Sequence, residues 1–103
     1  MEEPKVSREE IDAYVERVWP EVLEDIATLV AIDSVEDLSA AAPGAPWGPG
    51  PKAGLDAALN IAERLGLDAH DVEGYIGCAG LPGRSERRVA TIAHVDIVPL
   101  GTG

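Results

Sequence analysis

Phenylalanine is absent from this 103-residue chain, and the aromatic residues stop at Trp19, Trp47, Tyr14 and Tyr75. Any core must therefore rest on Ala, Val, Ile and Leu. Cysteine is nearly absent too. Cys78 stands alone, which excludes an internal disulfide and makes the cytoplasm the expected location. Positive charge is scarce: eight Lys and Arg face nineteen Asp and Glu, for a net charge of −11. A surface of that sign repels a phosphate backbone and an anionic bilayer, and no basic stripe interleaves with aromatics. Neither nucleic acid nor membrane is an expected partner. No apolar run approaches the ~20 residues of a membrane span. The opening Met1-Glu2-Glu3-Pro4-Lys5 lacks the basic and apolar regions of a signal peptide.

What is present is ordinary for a globular protein, with 46% hydrophobic residues. The length allows one small domain, residues 1–103, of a size that buries only ~60–70% of its unfolded surface. Ser7 followed by Glu10 reads as a capping box. Beyond it Ile11, Tyr14, Val15, Val18, Val22, Ile26, Leu29 and Val30 recur at spacings of three and four, predicting an amphipathic helix to about Ile32. Pro20 predicts a kink, or a break with Pro20 opening a second helix. The acidic residues Glu9, Asp12, Glu16, Glu21, Glu24 and Asp25 read as its solvated face. From Asp33 to Pro51 the composition turns to Ala, Pro and Gly and periodicity is lost, so a long loop is expected. Trp47 within it is expected to pack on a neighbouring surface. Gly50-Pro51 opens the next helix, with Leu55, Ala58, Leu59, Ala62 and Leu65 on its buried face and Gly66 as its stop. Residues 68–72 and 75–79 read as a hairpin turning at Glu73-Gly74. Residues 88–93 are nearly all apolar and β-branched, as in a central strand covered on both faces. The expected fold class is α/β: two helices packed on a sheet that contains a hairpin and a central strand.

The last strand carries the chemistry. Val89-Ala90-Thr91-Ile92-Ala93-His94-Val95-Asp96-Ile97-Val98-Pro99 delivers an imidazole and a carboxylate to its C-terminal end. Side chains alternate along a strand, so His94 and Asp96 share a side, ~6.5 Å apart along the backbone. A metal-ligating histidine usually gives its other ring N–H to a carboxylate, and His-x-Asp spacing suits that pairing. One imidazole cannot hold zinc alone, and a strand-end histidine with a structural role is the alternative reading.

The segment His94-Val95-Asp96-Ile97-Val98-Pro99-Leu100-Gly101 after a β-branched run resembles the His-x-Asp-Val-Val-Pro-x-Gly signature of the di-zinc aminoacylase/carboxypeptidase superfamily of metallopeptidases. Leu29-Val30-Ala31-Ile32-Asp33-Ser34-Val35 is similar to that superfamily's first-helix ending, which more often has Pro in place of Asp33. Trp47-Gly48-Pro49-Gly50-Pro51, Leu55-Asp56-Ala57-Ala58-Leu59 and Asp71-Val72-Glu73-Gly74-Tyr75-Ile76-Gly77 resemble its dipeptidase branch, which includes β-Ala-Xaa and Xaa-His dipeptidases. The resemblance covers nearly all residues from about Tyr14 onward. It implies that His94 is a ligand of one of two zinc ions and that Asp96, an active-site residue, orients it. It also implies a parent hydrolase acting on dipeptides or N-acyl amino acids through a metal-activated water. Its bridging Asp, general-base Glu, second-metal carboxylate and further His are expected past Gly103, with the first helix and the hairpin supplying packing only.

Two other readings stay open: a deacylase or desuccinylase of the same superfamily, and a non-catalytic truncated piece or interaction module. The Trp47-Gly48-Pro49-Gly50 loop argues against the first. His70 reads as a surface residue and Cys78 as a small hydrophobe. Gly80-Leu81-Pro82-Gly83 lacks the strand-to-helix setting of a phosphate loop. By itself the chain is expected to be inactive, to bind zinc weakly at most, and to self-associate through the edge of its apolar strand.

Overall fold

Helix α1, Arg8–Val30, begins where Ser7 can cap it: the Ser7 hydroxyl accepts the Glu10 N–H at 3.1 Å. A computed structural model describes residues 5–101; residues 1–4 and 102–103, which include most of the opening segment that lacks signal-peptide character, lie outside them. The helix runs through Pro20 as one element, although proline removes one i→i−4 hydrogen bond. Helix α2, Pro49–Arg64, starts two residues before the expected Pro51, with Gly48 as its N-cap. It ends in a Schellman motif. Gly66, at φ 86°, donates to the Glu63 carbonyl at 2.9 Å and Leu67 donates to the Ala62 carbonyl at 3.0 Å.

Strands β1, Asp68–Val72, and β2, Ile76–Gly80, pair antiparallel, with Asp68 opposite Gly80 and Val72 opposite Ile76. Glu73 and Gly74 both take positive φ, 54° and 80°, as the inner residues of a type I′ turn require. Gly74 is needed for a second reason, since a Cβ there would collide with the Gly44 carbonyl. Helix α2 lies on the hairpin face that holds Ala69, Asp71, Gly77 and Ala79. A Cβ at Gly77 would sit 2.7 Å from Leu55 Cδ1 and 2.8 Å from Leu59 Cδ2, so the close approach depends on that glycine. The α/β class expected from the sequence is therefore present.

Two details of the expected architecture differ. Helix α1 packs on α2 rather than on the sheet. Val18, Val22, Asp25 and Leu29, spaced four, three and four residues apart, are half-buried, while Ile11, Tyr14, Val15, Ile26 and Val30 stay exposed. The stripe read from periodicity is wider than the surface α2 offers. The second difference is the apolar segment 88–93, which joins no ladder; Val89 and Ile92 are 99% and 98% exposed. β-branching favours an extended chain, but a ladder also needs a neighbour. The neighbour found here reaches only one position, where Val35 and Ile97 form a parallel bridge.

Small residues occupy the tightest places. Among the described residues the buried ones are Ser34, Gly48, Pro51, Gly54, Ala62 and Gly74, so the packing consists of close backbone approaches rather than large apolar side chains. The radius of gyration of 16.9 Å exceeds the ~13 Å typical of a compact domain of about 100 residues. Polar ties span the elements: Arg64 to Asp25 between α2 and α1 at 2.5 Å, and Lys52 to Asp71 between α2 and β1 at 2.7 Å. The Trp47 ring meets Tyr75 edge-on with centroids 5.6 Å apart, and its Nε1–H donates to the Tyr75 carbonyl at 3.3 Å. The loop tryptophan thus packs on the hairpin turn, as expected.

Asp71 generates a pH prediction. Its carboxyl is held below the usual 3.8, first by the hydrogen bond from Lys52 and then by the Gly74 N–H, against a smaller desolvation effect. A depressed carboxyl contributes stability that is present above its unfolded value and lost as pH falls through the folded one. Lys52 is raised above 10.5 by Asp56 and then Asp71, so its contribution is present below 10.5 and lost as pH rises through the raised value. Acidification below about pH 4 should therefore weaken the tie between the hairpin and α2. Trp47 fluorescence followed against pH should show this acid limb, and Asp71→Asn should flatten it. An identical limb in the variant would contradict the assignment.

Candidate functional site

The C-terminal end of α1 and the first turns of α2 form a corner, and residues 94–97 lie along it. Ser34 stands at the centre. It is 2% exposed, and its Oγ–H donates to the Val95 carbonyl at 2.8 Å. The Ser34 carbonyl accepts the Ile97 N–H at 3.2 Å, which forms the bridge between Val35 and Ile97. Val95 faces α2: a Cβ at Gly54 would lie 3.4 Å from Ser34 Cβ, 3.5 Å from the Val95 carbonyl oxygen and 3.7 Å from Val95 Cγ2. With Val95 turned inward, alternation turns His94 and Asp96 outward together.

The two predicted site residues do meet. His94 Nδ1 lies 3.3 Å from Asp96 Oδ1 and 3.1 Å from the Asp96 main-chain carbonyl. A carbonyl oxygen only accepts, so this contact is a hydrogen bond in the tautomer that carries the proton on Nδ1. In the neutral ring this leaves the Nε2 lone pair as the atom able to bind a metal. Both side chains are largely exposed. His70 sits elsewhere, on β1 opposite Cys78 of β2; the imidazole is exposed and the thiol half-buried.

A catalytic zinc takes three protein ligands and a water. Among the described residues no three His, Cys, Asp or Glu side chains converge on one point. The chain thus offers one ligand atom with its carboxylate partner, which fits part of a zinc site and not a whole one. No helix among the described residues is long and apolar enough to cross a membrane. Sequence reasoning passed over Ser34 as a site-building residue. Its partner is 61 positions away, so only the buried position of a small hydroxyl residue after the helix could have signalled it.

No family model matches the chain. Several curated proteins do. It is 39% identical over 83 residues to a Staphylococcus epidermidis protein named "Putative dipeptidase", and 37% identical over 83 residues to one of that name from Staphylococcus haemolyticus. A Staphylococcus aureus protein with the same name is 37% identical over 89 residues. These matches take in 81–86% of the chain, whereas the chain spans only 18–19% of the relatives' length.

The packing around Ser34 sets two glycines apart. An alanine at Gly50 would collide with the Asp33 carbonyl, whereas an alanine at Gly54 meets only ordinary contacts. Gly50→Ala should destabilise by ~1–3 kcal/mol, the usual cost of overpacking. Gly54→Ala should be neutral or stabilise by up to ~1 kcal/mol through helix propensity. Urea unfolding of the two variants checks this, and a Gly54→Ala loss as large as that of Gly50→Ala would contradict it.

Proposed function

We propose that the chain is the N-terminal part of the catalytic domain of a zinc-dependent dipeptidase, a cytoplasmic hydrolase of dipeptides or N-acyl amino acids. The observation that carries this reading is the His94–Asp96 pair, in a chain 37–39% identical to proteins named for dipeptidase activity. His94 is assigned as a zinc ligand through Nε2. Asp96 is the active-site carboxylate that accepts the Nδ1–H hydrogen bond, fixes the tautomer and raises the basicity of the ligating nitrogen. Zinc, when bound as a pair of ions, supplies an activated water and a polarised scissile carbonyl. The remaining ligands and the general base come from outside this chain in this reading.

The test is hydrolysis by the full-length gene product that contains this chain, supplied with zinc and offered dipeptides and N-acyl amino acids. Dipeptide cleavage is expected, abolished by His94→Ala and lowered ~10–100-fold by Asp96→Asn. The 103-residue chain alone should show no rate above its own His94→Ala control. Cleavage restricted to N-acyl amino acids would move the activity to a deacylase. Activity unaffected by His94→Ala would overturn the site.

A further inference from the structure

We propose that Ser34 is a positioning residue for the His94–Asp96 pair; the inference rests on the site reading above. Two hydrogen bonds from one residue bracket the segment 94–97. The Ser34 hydroxyl holds the carbonyl of Val95, directly after His94, and the Ser34 carbonyl holds the N–H of Ile97, directly after Asp96. Asp96 is thereby suspended between two anchored peptide groups, and the inward turn of Val95 against Gly54 sends both functional side chains to the same outer side. The imidazole and the carboxylate are themselves exposed and, among the described residues, make no hydrogen bond or ion pair to any other side chain, so their mutual geometry is set by the backbone beneath them.

The residue type follows from the site. A donor is needed for the Val95 carbonyl, at a position that is only 2% exposed and lies beside Gly54. Serine is the smallest residue with a hydroxyl. Alanine at 34 would leave the Val95 carbonyl without this donor and free the segment to twist, so that His94 Nδ1 no longer stays within reach of both Asp96 acceptors. A ligand held by a loosened second partner is a weaker ligand, which makes Ser34 act through Asp96 and His94 rather than on substrate.

The experiment uses the ¹⁵N-labelled 103-residue chain without metal or substrate. It reads the ring nitrogen shifts of His94, which report the Nδ1–H tautomer, and amide hydrogen exchange at Ile97. Ser34→Ala should speed Ile97 exchange by at least about tenfold, the effect of losing one anchored hydrogen bond, and move the His94 ring shifts toward those of exposed His70. The Leu67 and Tyr75 amides, in the α2 cap and the hairpin turn, should keep their protection. If those amides also lose protection, Ser34→Cys, close in shape but a weak donor, becomes the deciding variant and should produce the same His94 response with them intact. A His94 ring unchanged in the deciding variant would reduce Ser34 to packing and overturn the proposal. Because neither readout involves metal or hydrolysis, a failed clamp and a failed dipeptidase assay are separate results.

Discussion

The hydroxyl and carbonyl of Ser34 tie the loop that follows α1 to the segment carrying His94 and Asp96, and its Cα and Cβ lie against Gly50 and Gly54 of α2. Around this residue the backbones approach closely at Gly50 and Gly54 rather than through large side chains. A buried hydroxyl is costly unless it is paired, and here the pairing is also what aligns the segment 94–97. Take that bond away and residues 94–97 would be held by one peptide hydrogen bond and the contact of Val95 with α2. The arrangement is economical because one residue, three positions past the cap of α1, anchors the backbone on both sides of Asp96.

The parts of the fold written in local chemistry were legible before any coordinates. Ser7 and Glu10 marked the start of α1, Gly66 marked the end of α2, and Glu73-Gly74 marked the hairpin turn, because each depends on residues within about four positions. What was not legible depends on neighbours. The apolar face of α1 gave the right helix but not its partner, since periodicity says that a face is apolar and not what covers it. The same holds for residues 88–93, whose β-branched composition specifies an extended backbone while pairing requires a second strand. Of the two outcomes expected at Pro20, the break does not occur: one lost hydrogen bond on an exposed helix is tolerated, so α1 continues as a single element.

The site was legible as a pair and not as a mechanism. His-x-Asp spacing placed the two side chains together, and the structure puts Nδ1 within 3.3 Å of the carboxylate. The inward anchoring that makes the spacing work lay hidden in Ser34, 61 residues from its partner. With one ligating atom in hand, the chemistry of the whole enzyme belongs to the proposal, supported by relatives of which this chain matches 18–19%.

The central claim is that Ser34 physically clasps residues 95–97, and a through-bond measurement addresses it directly. A scalar coupling across the hydrogen bond, from the amide nitrogen of Ile97 to the carbonyl carbon of Ser34, can be sought in the doubly labelled chain. A resolved coupling is predicted, accompanied by slow exchange of the Ile97 amide relative to that of exposed Val89. No coupling, with Ile97 and Val89 exchanging alike, would show that the segment is unclasped and would contradict the account.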